Sequence, residues 1–127
     1  MDIKEVSANS LSFIGDAVFT LQVRDFFVTN KYQSSKSLQK LCNNYNSAKG
    51  QTKVFKRLSD KNFFNETELE IYRRGRNHIS HIPKNGDRLS YECASGLEAV
   101  CGFLYLTDKN RLNELFKEVF KGGINNE

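Results

Sequence analysis

Two stretches of this chain, roughly 8–30 and 88–107, are helical in spacing and apolar in content, yet each carries an acid where packing would favour Leu or Val. The first contains Ser-Leu-Ser-Phe-Ile-Gly-Asp-Ala-Val over 10–18, with Asp16 inside it. The second contains Ser-Gly-Leu-Glu-Ala-Val-Cys-Gly-Phe-Leu-Tyr-Leu over 95–106, with Glu98. A carboxylate taken out of water without compensation costs several kcal/mol. Both stretches are also rich in small residues: Gly15 and Ala17 in the first, and Ala94, Ser95, Gly96, Ala99 and Gly102 in the second. A glycine in a helix interior costs about 1 kcal/mol relative to alanine. Small residues on both segments permit a close crossing that brings Asp16 and Glu98 together, although 82 positions separate them. A shared hard cation such as Mg2+ would explain two such acids. A structural acid satisfied by backbone or a lysine would explain them equally well, and residue types alone leave both readings open.

The remaining pattern is helical throughout. Leu11, Ile14, Val18 and Leu21 recur at helical spacing in 8–30, and Asn30 with the polar run 33–37 breaks that helix. A second helix is expected over about 36–58, carrying Leu38, Leu41, Cys42, Tyr45, Ala48, Val54, Phe55 and Leu58. Asn65 and Glu68 have capping-box spacing and open a short helix near 66–75, which Gly75 is expected to end. Residues 76–87 read as a loop with the single proline and an Asn-Gly step. After the helix at 88–107 comes an amphipathic one at 109–121, stopped by Gly122 and Gly123. No segment sustains a period of two. The expectation is an all-α fold, one domain over 1–127, with a flexible tail from about 122.

Composition narrows the class. The 127 residues suit one core, and 39% hydrophobic with 27% charged residues describes a globular protein rather than a disordered one. No secretory signal or bilayer-length apolar run is visible, so a cytoplasmic protein without a membrane partner is expected. The three cysteines, Cys42, Cys93 and Cys101, lack Cys-x-x-Cys spacing and read as buried free thiols in a reducing compartment. Residues 71–88 hold five bases, Arg73, Arg74, Arg76, Lys84 and Arg88, against one acid, Asp87. The entire net charge of +4 therefore lies in that window. A local basic window points to an anionic partner, although arginines on a short helix are most often a solvated face. His78 and His81 have a His-x-x-His spacing but no nearby cysteine, which argues against zinc. Phe63, Phe64 and Tyr72 are expected in the core or an interface.

Taken in order, Ile14-Gly15-Asp16-Ala17-Val18, Ser47-Ala48-Lys49, Arg73-Arg74-Gly75-Arg76-Asn77, Pro83-Lys84-Asn85 and Leu97-Glu98-Ala99 with Gly102 resemble the ribonuclease III catalytic domain, in its short Mini-ribonuclease III branch. The resemblance covers about 8–121. It implies a homodimeric endoribonuclease that hydrolyses phosphodiester bonds of double-stranded RNA with Mg2+, Mn2+ being a substitute. The products would carry 5′-phosphates, and the short branch implies a catalytic domain without an appended double-stranded-RNA-binding domain. The substrate it implies is a precursor of large-subunit (23S) ribosomal RNA, with a ribosomal protein as a further partner. Asp16 matches the aspartate closing the family signature, and Glu98 the glutamate of the second acidic motif; both are catalytic and metal-binding in the family. Asn9, Ser12 and Ser95 stand where the longer enzymes carry acids, a departure that favours the short branch.

Two carboxylates suffice for one Mg2+ that keeps several waters, and Asn9 or Ser12 are candidates to complete its shell. Arg76, Asn77, Lys84, Asn85 and Arg88 are the expected RNA contacts, because A-form duplexes are read through phosphates and 2′-hydroxyls. Lys49 is expected either there or beside the acids. The alternatives are a non-catalytic RNA-binding or ribosome-associated module with the same fold, whose mark would be loss of the acids, and a basic helical protein-interaction domain.

Overall fold

A computed structural model describes residues 1–30, 35–77 and 86–121. The described residues form a short 3-10 turn at Ile3–Glu5 and six α-helices: α1 (Ala8–Thr29), α2 (Ser35–Asn46), α3 (Ala48–Asp60), α4 (Glu66–Asn77), α5 (Arg88–Thr107) and α6 (Lys109–Lys121). No strand occurs among them, so the fold is all-α as expected.

Side chains fix where the helices begin. Ser7 accepts from Ser10 N at 3.1 Å and Ser47 from Gly50 N at 3.0 Å. Asp87 accepts from Leu89 N at 3.1 Å and Asp108 from Arg111 N at 3.0 Å. Each satisfies a first-turn N–H that has no partner within the helix. The capping box of α4 closes in both directions: Asn65 Oδ1 accepts from Glu68 N (2.8 Å) and Glu68 Oε1 from Asn65 N (3.1 Å). The same Glu68 carboxylate is 1% exposed and takes the Arg111 guanidinium at 2.8 and 2.9 Å. Arg111 also donates to the Phe63 carbonyl at 2.7 Å and lies 4.0 Å over the Phe63 ring. This buried pair ties the start of α4 to α6. Removal of one partner would leave an uncompensated buried charge.

Two expectations are corrected. The single helix over 36–58 is two helices. Ser47 interrupts it with extended backbone (φ −68°, ψ 158°) and caps α3. The apolar period runs through the break because both helices turn an apolar face inward, Cys42 and Tyr45 from one and Val54 and Leu58 from the other. Gly75 does not end its helix; α4 continues to Asn77. The bare Cα of Gly75 instead lets α4 lie against Ser95, Gly96 and Ala99 of α5.

α5 is the central helix, packed on α1, α4 and α3. Leu97, Ala99, Val100 and Cys101 are fully buried in it. Its closest approach is to α1. A Cβ on Gly15 would overlap the Glu98 carbonyl, and one on Gly102 would overlap the Leu11 carbonyl. Each glycine thus seats the other helix's backbone. All three cysteines are buried and free. Phe64 and Tyr72 are buried, with Phe55 stacked between them at 5.1 and 3.9 Å. No helix among the described residues is long and apolar enough to cross a membrane.

Gly15→Ala tests the crossing. Alanine improves helix propensity by about 1 kcal/mol, but overpacking against a fixed backbone typically costs 1–3 kcal/mol or more. A net loss of about 2 kcal/mol is expected in urea unfolding. A gain in stability would show that the helices do not meet there.

Candidate active site

The crossing turns Asp16 of α1 and Glu98 of α5 into one open cavity of about 390 Å³, closed on its third side by Asn46, Ala48 and Gln51 of α2 and α3. The Asp16 carboxyl lies close enough to act on that of Glu98 through a hydrogen bond and its charge, and the burial of the two differs. Glu98 is half-buried, whereas Asp16 is exposed. The desolvation argued from the sequence therefore applies to Glu98, while Asp16 lies on the solvent side of α1. Gln51, 2% exposed, donates from Nε2 to Glu98 Oε2 and to the Asn46 carbonyl, each at 3.3 Å. Burial, then the hydrogen bond and charge of Asp16, push the Glu98 carboxyl up to about 8, and the Gln51 donor opposes them. Glu98 accordingly keeps its proton well above the ordinary carboxylate range.

That raised value has a defined consequence for stability. In the unfolded chain Glu98 ionises near its ordinary 4.5, while in the folded protein it keeps its proton up to about 8. Its contribution is fully present below pH 4.5 and is lost as pH rises through that window. In chelator, wild type is expected to lose stability from about pH 5 to pH 8 more steeply than Glu98→Gln. Parallel stability curves would contradict the burial of Glu98.

Of Asn9, Ser12 and Ser95, the two serines have structural partners. Ser12 Oγ donates to the Ser95 carbonyl at 2.9 Å, and Ser95 Oγ donates to the Gly75 carbonyl at 2.9 Å. A relay of two buried hydroxyls thus links α1, α5 and α4 beside the acid pair. Asn9 lines the cavity as well. Among the described residues no cluster of three or more His, Cys, Asp or Glu forms, which leaves the carboxylate pair as the acidic donors. The donor set is oxygen throughout: two carboxylates and the side-chain carbonyls of Asn46 and Gln51. Among the described residues neither thiolate nor imidazole lines the cavity. That chemistry suits a hard cation.

The expected RNA contacts are dispersed around this cavity rather than in it. Lys49 is exposed in the first turn of α3, next to the cavity-lining Ala48. Arg76 and Asn77 are exposed at the end of α4, with the Arg76 guanidinium 5.9 Å over the Tyr72 ring. Arg88 is exposed and paired with Glu92 at 3.1 Å. Lys84, Asn85, His78 and His81 lie outside the described residues. The basic window is less free than its charge count implies. Arg73 pairs with Glu70 at 3.1 Å, and Arg74 donates to the Val6 carbonyl at 3.3 Å. Two features escaped the sequence reading. Gln51 continues the inward stripe of Val54, Phe55 and Leu58 back by one turn, and that register is the signal that would have found it. A groove of about 980 Å³ between α1 and α2 is lined, among the described residues, by Arg24, Lys36 and Lys40 and no acid; it meets the acid cavity at Asn46. Lys36 and Lys40 come from the acid-free run 26–59, and the fold sets them beside Arg24 of α1.

An all-α domain that crosses two helices at glycines to present a carboxylate pair beside basic surface has the make-up of a nuclease domain. The comparisons agree. The family description of the Ribonuclease III domain matches residues 9–109. Over 122 residues the chain is 34% identical to Mini-ribonuclease 3 of Enterococcus faecalis, covering 94% of this chain and 92% of that protein. It is 35% identical over 119 residues to Mini-ribonuclease 3 of Staphylococcus aureus, covering 92% and 89%. An X-ray crystal structure of a protein from Fusobacterium nucleatum is similar with a TM-score of 0.82 at 29% identity, covering 95% of this chain and 97% of that one. The chain belongs to the ribonuclease III domain family and is an endoribonuclease.

Proposed function

We propose that this endoribonuclease hydrolyses phosphodiester bonds of double-stranded RNA at the Asp16–Glu98 pair with the help of Mg2+, for which Mn2+ substitutes. The observation that carries the proposal is the meeting of these two carboxylates, from helices far apart in sequence, in a cavity open to solvent. Asp16 and Glu98 would hold the cation as carboxylates, so binding displaces the proton that Glu98 retains. A bound Mg2+ supplies acidity to a coordinated water and charge stabilisation to the phosphate. Asp16, on the exposed side, lies where an incoming phosphate can reach, while Gln51 and the half-buried Glu98 form the cavity wall.

Duplex binding rests on phosphate contacts, which give affinity without sequence information. Lys49, Arg76, Asn77, Lys84, Asn85 and Arg88 are assigned to it, and the groove of Arg24, Lys36 and Lys40 adds positive surface beside the cavity. The products carry 5′-phosphates. We assign the substrate to a large-subunit (23S) ribosomal RNA precursor in the cytoplasm, with a ribosomal protein as accessory partner, in line with the Mini-ribonuclease III resemblance. A homodimer is supported by the outer face of α1. Phe13, Leu21 and Val28 are 83%, 66% and 60% exposed there, and Leu89 at the start of α5 is 75% exposed. A helix apolar on both faces is normally covered on both, and a second copy seated on Phe13 would adjoin Asp16.

Asp16→Asn and Glu98→Gln are each expected to abolish cutting of double-stranded RNA in Mg2+ while binding persists, with single-stranded RNA left intact by wild type. Arg76→Ala is expected to weaken binding and lower its salt dependence by about one charge. Undiminished cleavage by either acid variant would remove the proposed site.

A further inference from the structure

We propose that Gln51 is a positioning residue for the carboxylate pair: its amide Nε2 orients Glu98, and its Oε1 accepts a hydrogen bond from a water of the cation held there. The proposal deepens, and rests on, the reading of Asp16 and Glu98 as the cation site.

A glutamine that is 2% exposed on an inward helix face is costly unless both ends of its amide find partners. The Nε2 end has two, Glu98 Oε2 and the Asn46 carbonyl, each at 3.3 Å. Both contacts are long for amide hydrogen bonds, so Gln51 steers Glu98 rather than clamping it. The Oε1 end has no donor among the described residues, and neither has the buried Oδ1 of Asn46. Both residues line the cavity of Asp16 and Glu98. Two buried acceptors lacking donors, beside two carboxylates, form a set that a hydrated hard cation completes. The carboxylates replace some of its waters, and the remaining waters donate to the amide oxygens.

The residue type matters as much as the place. Lysine or arginine at 51 would donate to Glu98 but would also neutralise the pair and compete with the cation. Leucine would pack but leave Glu98 without its donor. A neutral amide orients the carboxylate, preserves the negative charge of the site, and offers an acceptor in the same plane. Partners of this kind typically alter metal affinity or activity by 10–100-fold when removed.

Gln51→Met keeps length and packing while deleting the donor and acceptor. Two measurements decide: Mn2+ affinity without RNA, read by electron paramagnetic resonance, and the kcat and KM on a double-stranded RNA across a Mn2+ titration. The variant is expected to bind Mn2+ at least about 10-fold more weakly, to lose kcat at low Mn2+ with KM for RNA unchanged, and to regain kcat as Mn2+ rises. Wild-type Mn2+ affinity in Gln51→Met overturns the proposal, whatever happens to kcat, and so does a kcat loss that Mn2+ cannot restore. Should the variant fail to fold, wild type alone decides by nuclear magnetic resonance. The Gln51 side-chain amide signals must shift on Mg2+ addition; signals unmoved at saturating Mg2+ overturn the role. Failure of the wild type to bind Mn2+ or cut duplex RNA at all would instead overturn the cation-site reading beneath it.

Discussion

The contact of α1 with α5 governs this molecule. Gly15 lies against the Glu98 carbonyl and Gly102 against the Leu11 carbonyl, so each helix gives up side-chain volume where the other's backbone passes. The fit costs helix propensity twice. In return, Asp16 and Glu98, one residue from Gly15 and four from Gly102, are held by backbone rather than by flexible stems. Around that contact the structure adds fasteners. The Ser12–Ser95–Gly75 relay ties in α4, and the Glu68–Arg111 pair ties α4 to α6. The outcome is an acid pair whose geometry depends on packing at the centre of the domain.

The electrostatics of the pair follow from an asymmetry of burial. Glu98 is on the helix that is covered on most sides, whereas Asp16 is on the exposed flank of α1. Withdrawal from water and the nearness of Asp16 both disfavour a second negative charge, so Glu98 keeps its proton well above the normal carboxylate range. A cation reverses that preference. On the proposed function, the site thus passes from a protonated Glu98 to an ionised, cation-holding one. Gln51 favours the ionised form without contributing charge.

Much of this was legible in the residues. The periods of α1, α5 and α6, the Asn65–Glu68 capping box, and the small residues around Asp16 and Glu98 all pointed to the helices and the crossing that form. The break at Ser47 was not, because the apolar period carries through it and a serine is as common on a helix surface as at a cap. Gly75 was ambiguous for the same kind of reason, since glycine marks helix ends and tight helix contacts alike. Asp16 was expected out of water because α1 is apolar on all sides; its exposure shows that one apolar face, with Phe13 and Leu21, is uncovered in the single chain. Gln51 was overlooked because a glutamine reads as surface by type. The free charge of the basic window was overstated because Glu70 and Glu92, which neutralise Arg73 and Arg88, lie outside it in sequence but one helical turn away in space.

The most direct measurement is the anomalous difference density of a crystal of the full chain soaked in Mn2+. A single strong peak within bonding distance of one carboxylate oxygen from Asp16 and one from Glu98 is the expected result. A peak bound to only one of the two, or placed elsewhere while this cavity stays empty, would contradict the claim that the α1–α5 crossing exists to share a cation between them.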